Sequence, residues 1–118
     1  MRAREFDIKL IDADIEEFKN LLDVFRDVFD WGDHDHPDEE YLLRLLREDN
    51  LLVVVAKDGN EVVGGLTAYV LPGYEVARPS IYIHDLGVKE SFQGQGVGKR
   101  LIDHLMDHAR GNNFHDIF

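Results

Sequence analysis

The stretch Gln93-Gly94-Gln95-Gly96-Val97-Gly98-Lys99 decides the fold, because its glycines alternate with other residues between a strand pattern and a helix pattern. Glycine lets the backbone approach a ligand closely. The free N–H groups at a helix start, together with the helix dipole, bind a pyrophosphate without needing many Lys or Arg side chains. The stretch therefore predicts a phosphate-binding turn at the beginning of a helix.

Two familiar phosphate-binding loops do not fit this turn. The dinucleotide pattern requires G-x-G-x-x-G after the first strand, and the Walker loop requires G-K followed by Ser or Thr. In this chain Gly94, Gly96 and Gly98 alternate, Arg100 follows Lys99, and the turn comes after the fourth predicted strand. A glycine-rich turn without a ligand is the structural alternative.

The elements on either side of the turn have clear apolar patterns. Ser80 to Val88 predicts a strand with Ile81 and Ile83 on one face and Tyr82 and His84 on the other. Bulky residues on both faces indicate a central strand. The helix after the turn carries apolar residues at core spacing, namely Val97, Leu101, Ile102, Leu105 and Met106.

The first half of the chain predicts a short strand and two helices. Glu5 to Leu10 alternates weakly, and the acidic cluster at Asp12 to Asp14 favours a helix start. That helix ends near Trp31-Gly32, and its apolar stripe is Ile15, Phe18, Leu21, Leu22, Phe25, Val28 and Phe29. A second helix begins at Asp38-Glu39-Glu40, and its predicted apolar face is Tyr41, Leu42, Leu45 and Leu46.

A hairpin, a loop and a last strand complete the order of elements. Leu51 to Ala56 and Glu61 to Leu71, joined by the turn Asp58-Gly59-Asn60, predict an antiparallel hairpin. Pro72 to Pro79 predicts a loop, and Phe114 to Phe118 predicts the start of a further strand. The whole chain, residues 1–118, is therefore expected to form a single α/β domain.

Composition excludes several classes of function. The 24 acidic residues exceed the 13 Lys and Arg, and the net charge of −11 disfavours nucleic acid and favours a cationic partner, although an acidic surface also serves solubility alone. The chain has no cysteine, which agrees with a reducing, cytoplasmic location. We expect no membrane insertion, because no stretch approaches the roughly 20 apolar residues of a spanning helix.

The pattern Gln93-x-x-Gly96-x-Gly98 resembles the acetyl-CoA signature Q/R-x-x-G-x-G/A of the GNAT superfamily of N-acetyltransferases, and it follows a strand as it does there. The resemblance implies the GNAT fold, in which helices flank a mixed central sheet. It also implies acetyl-CoA as cosubstrate, with the pantetheine arm on the backbone of Leu86, Gly87 and Val88. The pyrophosphate would be held by Gln93, Gly94, Gln95, Gly96, Val97, Gly98 and Lys99.

Further segments resemble the class I aminoglycoside 3-N-acetyltransferases. Glu61 to Pro72, Ile81 to Leu86, and Pro37-Asp38 with Tyr41-Leu42 are similar to that branch, whereas the first helix matches only in pattern. The resemblance implies that the family's domain continues after Phe118 with another helix and further strands, so we expect the chain to be C-terminally incomplete. The tyrosine that protonates the departing thiolate in many members then has no counterpart to assign.

Asp85 is the candidate catalytic residue. Acetyl transfer needs a neutral amine, because an ammonium has no lone pair to attack a thioester. In the resembled branch the corresponding aspartate is proposed to contact the amine and act as base. Two alternatives stay open: the carboxylate orients the amine while water carries the proton, or it caps the strand end. His84 is expected on the opposite strand face, unless the strand bulges there.

Acceptor contacts are predicted from acidic and aromatic side chains. By the same resemblance, the connection between the first two helices, which holds Asp33, Asp35, Asp38, Glu39 and Glu40, borders the acceptor site, and Tyr74 and Glu75 of the later loop could line it too. We take Asp38, Glu39, Tyr74, Glu75 and His84 as substrate-binding candidates. Acids at a helix start are also ordinary partners of the helix dipole.

The remaining histidines do not predict a metal site. His34 and His36 flank Asp35, but this spacing is weak, and His104 with His108 lacks the glutamate of H-E-x-x-H. We expect the second pair on an exposed helix face, and no metal.

The sequence thus predicts an acetyl-CoA-dependent N-acetyltransferase acting on a primary amine of a cationic small molecule, with an aminoglycoside as the leading candidate. The alternatives are a truncated, inactive domain that binds CoA or only self-associates, and a protein-acetylating enzyme. The apolar Phe114 to Phe118 segment predicts an unprotected sheet edge, and hence a homodimer.

Overall fold

A computed structural model of the chain describes residues 5–32, 36–48 and 50–118. The strands are β1 (Asp7–Leu10), β2 (Leu51–Asp58), β3 (Glu61–Leu71) and β4 (Ser80–Val88). The α-helices are α1 (Ile15–Phe29), α2 (Glu39–Arg47) and α3 (Val97–Gly111), and a short 3-10 turn occupies Glu90–Phe92. This order confirms the predicted strand, two helices, hairpin, strand and helix.

Aspartate side chains begin the first two helices. Asp14 Oδ1 accepts from the backbone N–H of Glu17 at 3.1 Å, and Asp38 Oδ1 accepts from that of Tyr41 at 2.9 Å. Each bond satisfies one of the N–H groups that a helix start leaves without an intrahelical partner. Two glutamates follow in each first turn, where the helix dipole favours negative charge.

Strands β1 to β4 form one sheet in the order β1-β2-β3-β4, and every neighbouring pair is antiparallel. One face packs against α3 through a core that includes Val54, Leu66, Ile81 and Leu101. The other face packs against α1 and α2, with Phe25, Val53 and Leu42 in its core. The hairpin prediction is confirmed, with β2 reaching Asp58 so that Gly59 and Asn60 form the turn.

Two apolar residues predicted in the core are exposed. Tyr41 is 47% exposed with its ring 5.9 Å from Arg44 Cζ, and Met106 is 36% exposed. The buried residues of these helices follow strict i, i+4 spacing: Leu42 and Leu46 in α2, and Val97, Leu101, Leu105 and Ala109 in α3. Tyr41 and Met106 each lie one residue, or about 100°, from that stripe.

The bulky residues on both faces of β4 predicted a central strand, and this prediction is wrong for the four strands of the sheet. β4 lies at one end of their order. Its outer edge is hydrogen-bonded to residues 114–118: Ile81 N donates to Asp116 O at 2.9 Å, and Ile83 N donates to Phe118 O at 2.8 Å. The predicted strand Phe114–Phe118 is reduced to a single parallel bridge between Ile81 and Ile117. Among the described residues, this bridge is the one parallel pairing, so the mixed parallel and antiparallel sheet that was expected is seen here only to that extent.

Among the described residues, the longest helices have 15 residues, and none is long and apolar enough to cross a membrane.

Candidate functional site

The glycine turn leaves the start of α3 open. Gly94 and Gly96 have φ values of 78° and 82°, a left-handed conformation that favours glycine, and a Cβ at either would meet nothing within 4 Å. Gly96 precedes the helix and contributes no side-chain cap, and the first turn of α3 has no acidic residue. In the described parts of the chain, α3 thus differs from α1 and α2, whose starts are already served by carboxylates.

The side chains around the turn have defined places. Gln93 Nε2 donates to Val88 O at 2.9 Å, which ties the turn to the end of β4, and Gln95 Nε2 lies 3.5 Å from Ser91 O. Val97 is 2% exposed, so its side chain belongs to the core and only its backbone N–H is available to a ligand. Lys99 Nζ donates to Asp103 at 2.8 Å on the surface of α3.

The strand segment Leu86–Val88 adjoins this turn. Leu86 and Val88 pack against the α3-side core, and Gly87 faces α1. A Cβ on Gly98 would lie 3.6 Å from Leu86 Cδ2, an ordinary contact, so the turn and the strand are neighbours in space as well as in sequence. The Leu86–Val88 segment and the Gln93–Lys99 turn, which hold the ten residues predicted to bind acetyl-CoA, therefore lie next to each other.

β4 contains a bulge at His84. Thr67 of β3 pairs with Asp85 and the next residue, Ala68, pairs with Ile83, so His84 has no partner of its own in the β3 register. Ile81 and Ile83 before the bulge, and Leu86 and Val88 after it, all pack on the α3 side. His84 and Asp85 consequently both lie on the α1 side, in the arrangement that the sequence allowed only if the strand bulged.

The two side chains are close to each other. His84 Nε2 lies 3.7 Å from Asp85 Oδ2, and the side chains are 50% and 28% exposed, respectively. The register partner of Asp85, Thr67, is buried at 7% exposure. Asp85 therefore forms the deeper part of the pair and the imidazole the outer part.

Aromatic rings surround the imidazole. The ring centroids of Tyr69 and Tyr82 lie 5.5 Å and 6.0 Å from that of His84, and Phe118 lies 5.5 Å from Tyr82. The sequence placed Tyr82 and His84 on one strand face but did not single out Tyr69. The register, which pairs Tyr69 with Tyr82, was the missing information.

In the part of the chain that the structure describes, Asp38 and Glu39 bond to groups other than Asp85, and Tyr74 and Glu75 are exposed. Asp38 caps α2, and Glu39 Oε1 accepts from Lys19 Nζ at 2.8 Å. Tyr74 is 95% exposed in the loop between β3 and β4, and Glu75 beside it is also exposed. Asp33, His34 and Asp35 lie outside the described residues.

The histidines expected to be uninvolved in metal binding have other neighbours. His36 Nε2 contacts Asp23 Oδ1 at 2.6 Å and its Nδ1 contacts Arg26 Nη2 at 3.0 Å. His104 and His108 are half-buried rather than fully exposed, and the ring of His108 lies 5.9 Å from that of Phe114. Within residues 5–32, 36–48 and 50–118, no group of three potential ligands could hold a metal ion.

Comparison with known proteins agrees with this geometry. The family model described as acetyltransferase (GNAT) family matches residues 18–118. The chain therefore belongs to the GNAT family of acetyltransferases. The match includes most of α1, which the sequence alone related to the family only in pattern.

One solved structure covers nearly the whole chain. An aminoglycoside acetyltransferase from an uncultured soil metagenomic sample, determined in complex with sisomicin, has a TM-score of 0.94 and 37% identity. The similarity covers 96% of this chain and 75% of that one.

Curated relatives match over shorter stretches. L-2,4-diaminobutyric acid acetyltransferase of Shouchella clausii is 41% identical over 54 residues, and N-alpha-acetyltransferase RimI of Mycobacterium tuberculosis is 38% identical over 64 residues. These stretches cover 46% and 48% of this chain. They span only 29% and 40% of the two relatives.

Proposed function

We propose that this chain transfers the acetyl group of acetyl-CoA to a primary amine of a cationic small molecule of the aminoglycoside type. The observation that carries the proposal is the open start of α3 next to the end of β4, the strand that also carries the bulge at His84. Asp85 and Val88 are three residues apart, about 10 Å along a strand. An anion-binding turn and an acidic, aromatic surface thus lie at the two ends of one strand segment.

The cofactor half of the proposal rests on backbone groups. A pyrophosphate at the start of α3 would meet N–H groups that no side chain caps, together with the positive end of the helix dipole. This explains how a chain with a net charge of −11 binds a polyanion. The glycines leave space for it, because a Cβ at Gly94 or Gly96 would meet no other atom within 4 Å.

The acceptor half rests on charge and on aromatic surface. Asp85 attracts an ammonium group, and the rings of Tyr69 and Tyr82 offer faces to a cation or to the apolar side of a sugar. A structurally similar enzyme was solved with sisomicin, which supports an amino sugar as acceptor. Transfer to the 3-amino position is carried over from the sequence resemblance alone.

Acetyl transfer requires the ammonium to lose a proton before nitrogen attacks the thioester carbonyl. We infer that Asp85 orients the amine on the α1 side of the sheet. Backbone N–H groups near Leu86–Val88 would polarise the carbonyl oxygen as it gains negative charge.

Binding of acetyl-CoA tests the cofactor half of the proposal, and turnover tests the acceptor half. Isothermal titration with acetyl-CoA is expected to show binding by the wild type and weaker binding by Gly96→Ala. Gly59→Ala, in the hairpin turn, is the matched control, since Gly59 also has positive φ and open space around it. Equal affinities in the wild type and Gly96→Ala would contradict the pyrophosphate site.

Release of thiol on addition of gentamicin distinguishes an enzyme from an inactive domain. Spermidine and an N-terminal peptide serve as competing acceptor classes. Binding of acetyl-CoA without thiol release from any amine would support the inactive CoA-binding alternative. Release with the peptide alone would indicate a protein-acetylating enzyme.

We further propose self-association through residues 114–118. Phe118 is 62% exposed, and the segment bonds to β4 through Ile81 and Ile83. An exposed apolar edge segment favours pairing with another chain. Sedimentation velocity at micromolar concentration should show a dimer that Phe118→Glu weakens, and a monodisperse wild-type monomer would contradict the proposal.

A further inference from the structure

We propose that His84, which the β4 bulge places beside Asp85, accepts the proton that the acceptor amine loses. This inference rests on the acetyl-transfer function proposed above. It assigns Asp85 a positioning role toward the imidazole, in addition to its attraction for the amine.

The first support is the position of the two side chains. Without the bulge, consecutive residues of β4 would point to opposite faces of the sheet. With it, His84 Nε2 approaches Asp85 Oδ2 to 3.7 Å, and the imidazole is the more exposed of the two groups. An incoming amine can therefore reach the imidazole while Asp85 stays paired with the buried Thr67 of β3.

The second support is the chemistry of the two groups. General-base catalysis is most efficient when the base changes protonation near the working pH, and imidazole is the ordinary side chain that does so between pH 5 and 8. A free carboxylate is a much weaker base toward an ammonium. The Asp85 carboxylate, 3.7 Å from Nε2 of His84, would stabilise the imidazolium that results.

The neighbouring aromatic rings pack around the imidazole. Tyr69 from β3 and Tyr82 from β4 have ring centroids 5.5 Å and 6.0 Å from His84, and Phe118 packs on Tyr82. Among the described residues, Asp85 is the charged group beside His84. The electron-rich faces of the two tyrosines favour a cation between them, whether imidazolium or substrate ammonium.

The step balances with acetyl-CoA as acetyl donor. The ammonium gives one proton to the imidazole of His84, and the freed nitrogen lone pair forms a bond to the thioester carbonyl carbon. The carbon–sulfur bond then breaks, and the second proton lost by nitrogen goes to the departing sulfur directly or through water. His84 returns its proton to solvent, so the products are the N-acetyl amine, the free thiol and one proton.

The test is the rate of thiol release by the full chain with acetyl-CoA and gentamicin across about pH 5.5 to 9. His84→Gln is expected to lower kcat by about 10²-fold to 10⁴-fold, with an unchanged dissociation constant for acetyl-CoA. The fall in wild-type kcat/KM on the acidic side should disappear in His84→Gln. Added imidazole should restore part of the rate of His84→Ala, and Asp85→Asn should also lower kcat.

Two variants serve as controls. His104→Gln changes a half-buried histidine of α3, on the other side of the sheet, and should keep the wild-type rate and pH profile. His84→Asn checks that any loss does not come from the size of the glutamine. Circular dichroism should show unchanged folding for all variants, because the His84 side chain is half exposed.

The outcomes separate this inference from the function on which it rests. A rate for His84→Gln within threefold of the wild type, with the acidic limb retained, would overturn the role of His84 and leave acetyl transfer intact. A wild-type chain that binds acetyl-CoA but releases no thiol with any amine would overturn both.

Discussion

Gly87 of β4 lies directly against Phe25 of α1. A Cβ added at Gly87 would come within 3.1 Å of Phe25 Cδ1 and 3.4 Å of Phe29 Cζ. Phe25 is itself 1% exposed, so its ring has little room to move. This contact fixes how closely α1 approaches the segment of β4 that we propose to bind the pantetheine arm.

Gly87→Ala should therefore destabilise the chain. Crowding of a packed core typically costs about 1–3 kcal/mol, and urea unfolding measures it as a lower midpoint. Gly111→Ala is the control, because a Cβ at Gly111, the last residue of α3, would meet nothing within 4 Å. Equal midpoints for Gly87→Ala and the wild type would show that α1 can shift away from the strand.

Substitutions at Asp38 can distinguish its role as a helix cap from a role in attracting the substrate. Asp38→Ala should lose about 0.5–2 kcal/mol of unfolding free energy, whereas Asp38→Asn should stay close to the wild type, since asparagine caps equally well. Asp14→Ala in α1 provides a second cap for comparison. A raised KM for the cationic amine in Asp38→Asn, at unchanged stability, would identify a carboxylate that also attracts substrate.

Lys99→Glu should affect folding and coenzyme binding differently. An acidic residue in the first turn of α3 would favour the helix dipole and offset the loss of the exposed Lys99–Asp103 pair. The same change alters the charge near the proposed pyrophosphate by two units, and at about 1 kcal/mol per unit charge in water acetyl-CoA should bind roughly thirtyfold more weakly. Arg47→Glu in α2 controls for net charge. Unchanged coenzyme affinity in Lys99→Glu would count against the proposed site.

Lys57 should make the free energy of unfolding depend on pH in the alkaline range. Its hydrogen bond to Glu17 Oε1, 2.8 Å long, raises the pKa of Lys57 above its ordinary value of 10.5. A raised lysine pKa adds stability that is fully present below pH 10.5 and is lost as the pH rises through the pKa in the folded chain. The stability difference between the wild type and Lys57→Met should accordingly be fully present near neutral pH and shrink as the pH rises above 10.5.

Lys19→Met is the comparison for this pH dependence. Glu39 raises the pKa of Lys19 through a hydrogen bond in the same way, but both side chains are more exposed than the Lys57–Glu17 pair. Solvent screening should make its effect smaller. A difference between the wild type and Lys57→Met that stays constant from about pH 7 to pH 11.5 would contradict the assigned cause.

Local chemistry explains which parts of the fold could be predicted from the sequence. Asp14 and Asp38 identify helix starts through their own hydrogen bonds, and the Gly59-Asn60 turn identifies the hairpin. The glycine turn before α3 was also recognisable, because its residues act through backbone conformation. Each of these features depends on residues close together in the chain.

Features that depend on pairing between strands could not be predicted in the same way. The sequence of β4 does not show which residue is extra relative to β3, so the side of the sheet taken by Asp85 stayed open until the register was known. Tyr69 was missed for the same reason. Tyr41 and Met106 were assigned to the core because apolar character alone does not determine the exact angle of a buried helix stripe.

The bulge at His84 makes the site depend on residue count as well as residue type. Deleting one residue between Ile83 and Leu86 would restore strict alternation, and a single side chain would then lie on the α1 side of the sheet where two do now. In homologues with a histidine and an aspartate in this strand but a different number of residues between the positions of Ile83 and Leu86, these two side chains would not both lie on the same face of the sheet. The face of the sheet on which each β4 side chain lies is therefore as informative for comparing such enzymes as the identity of any one residue.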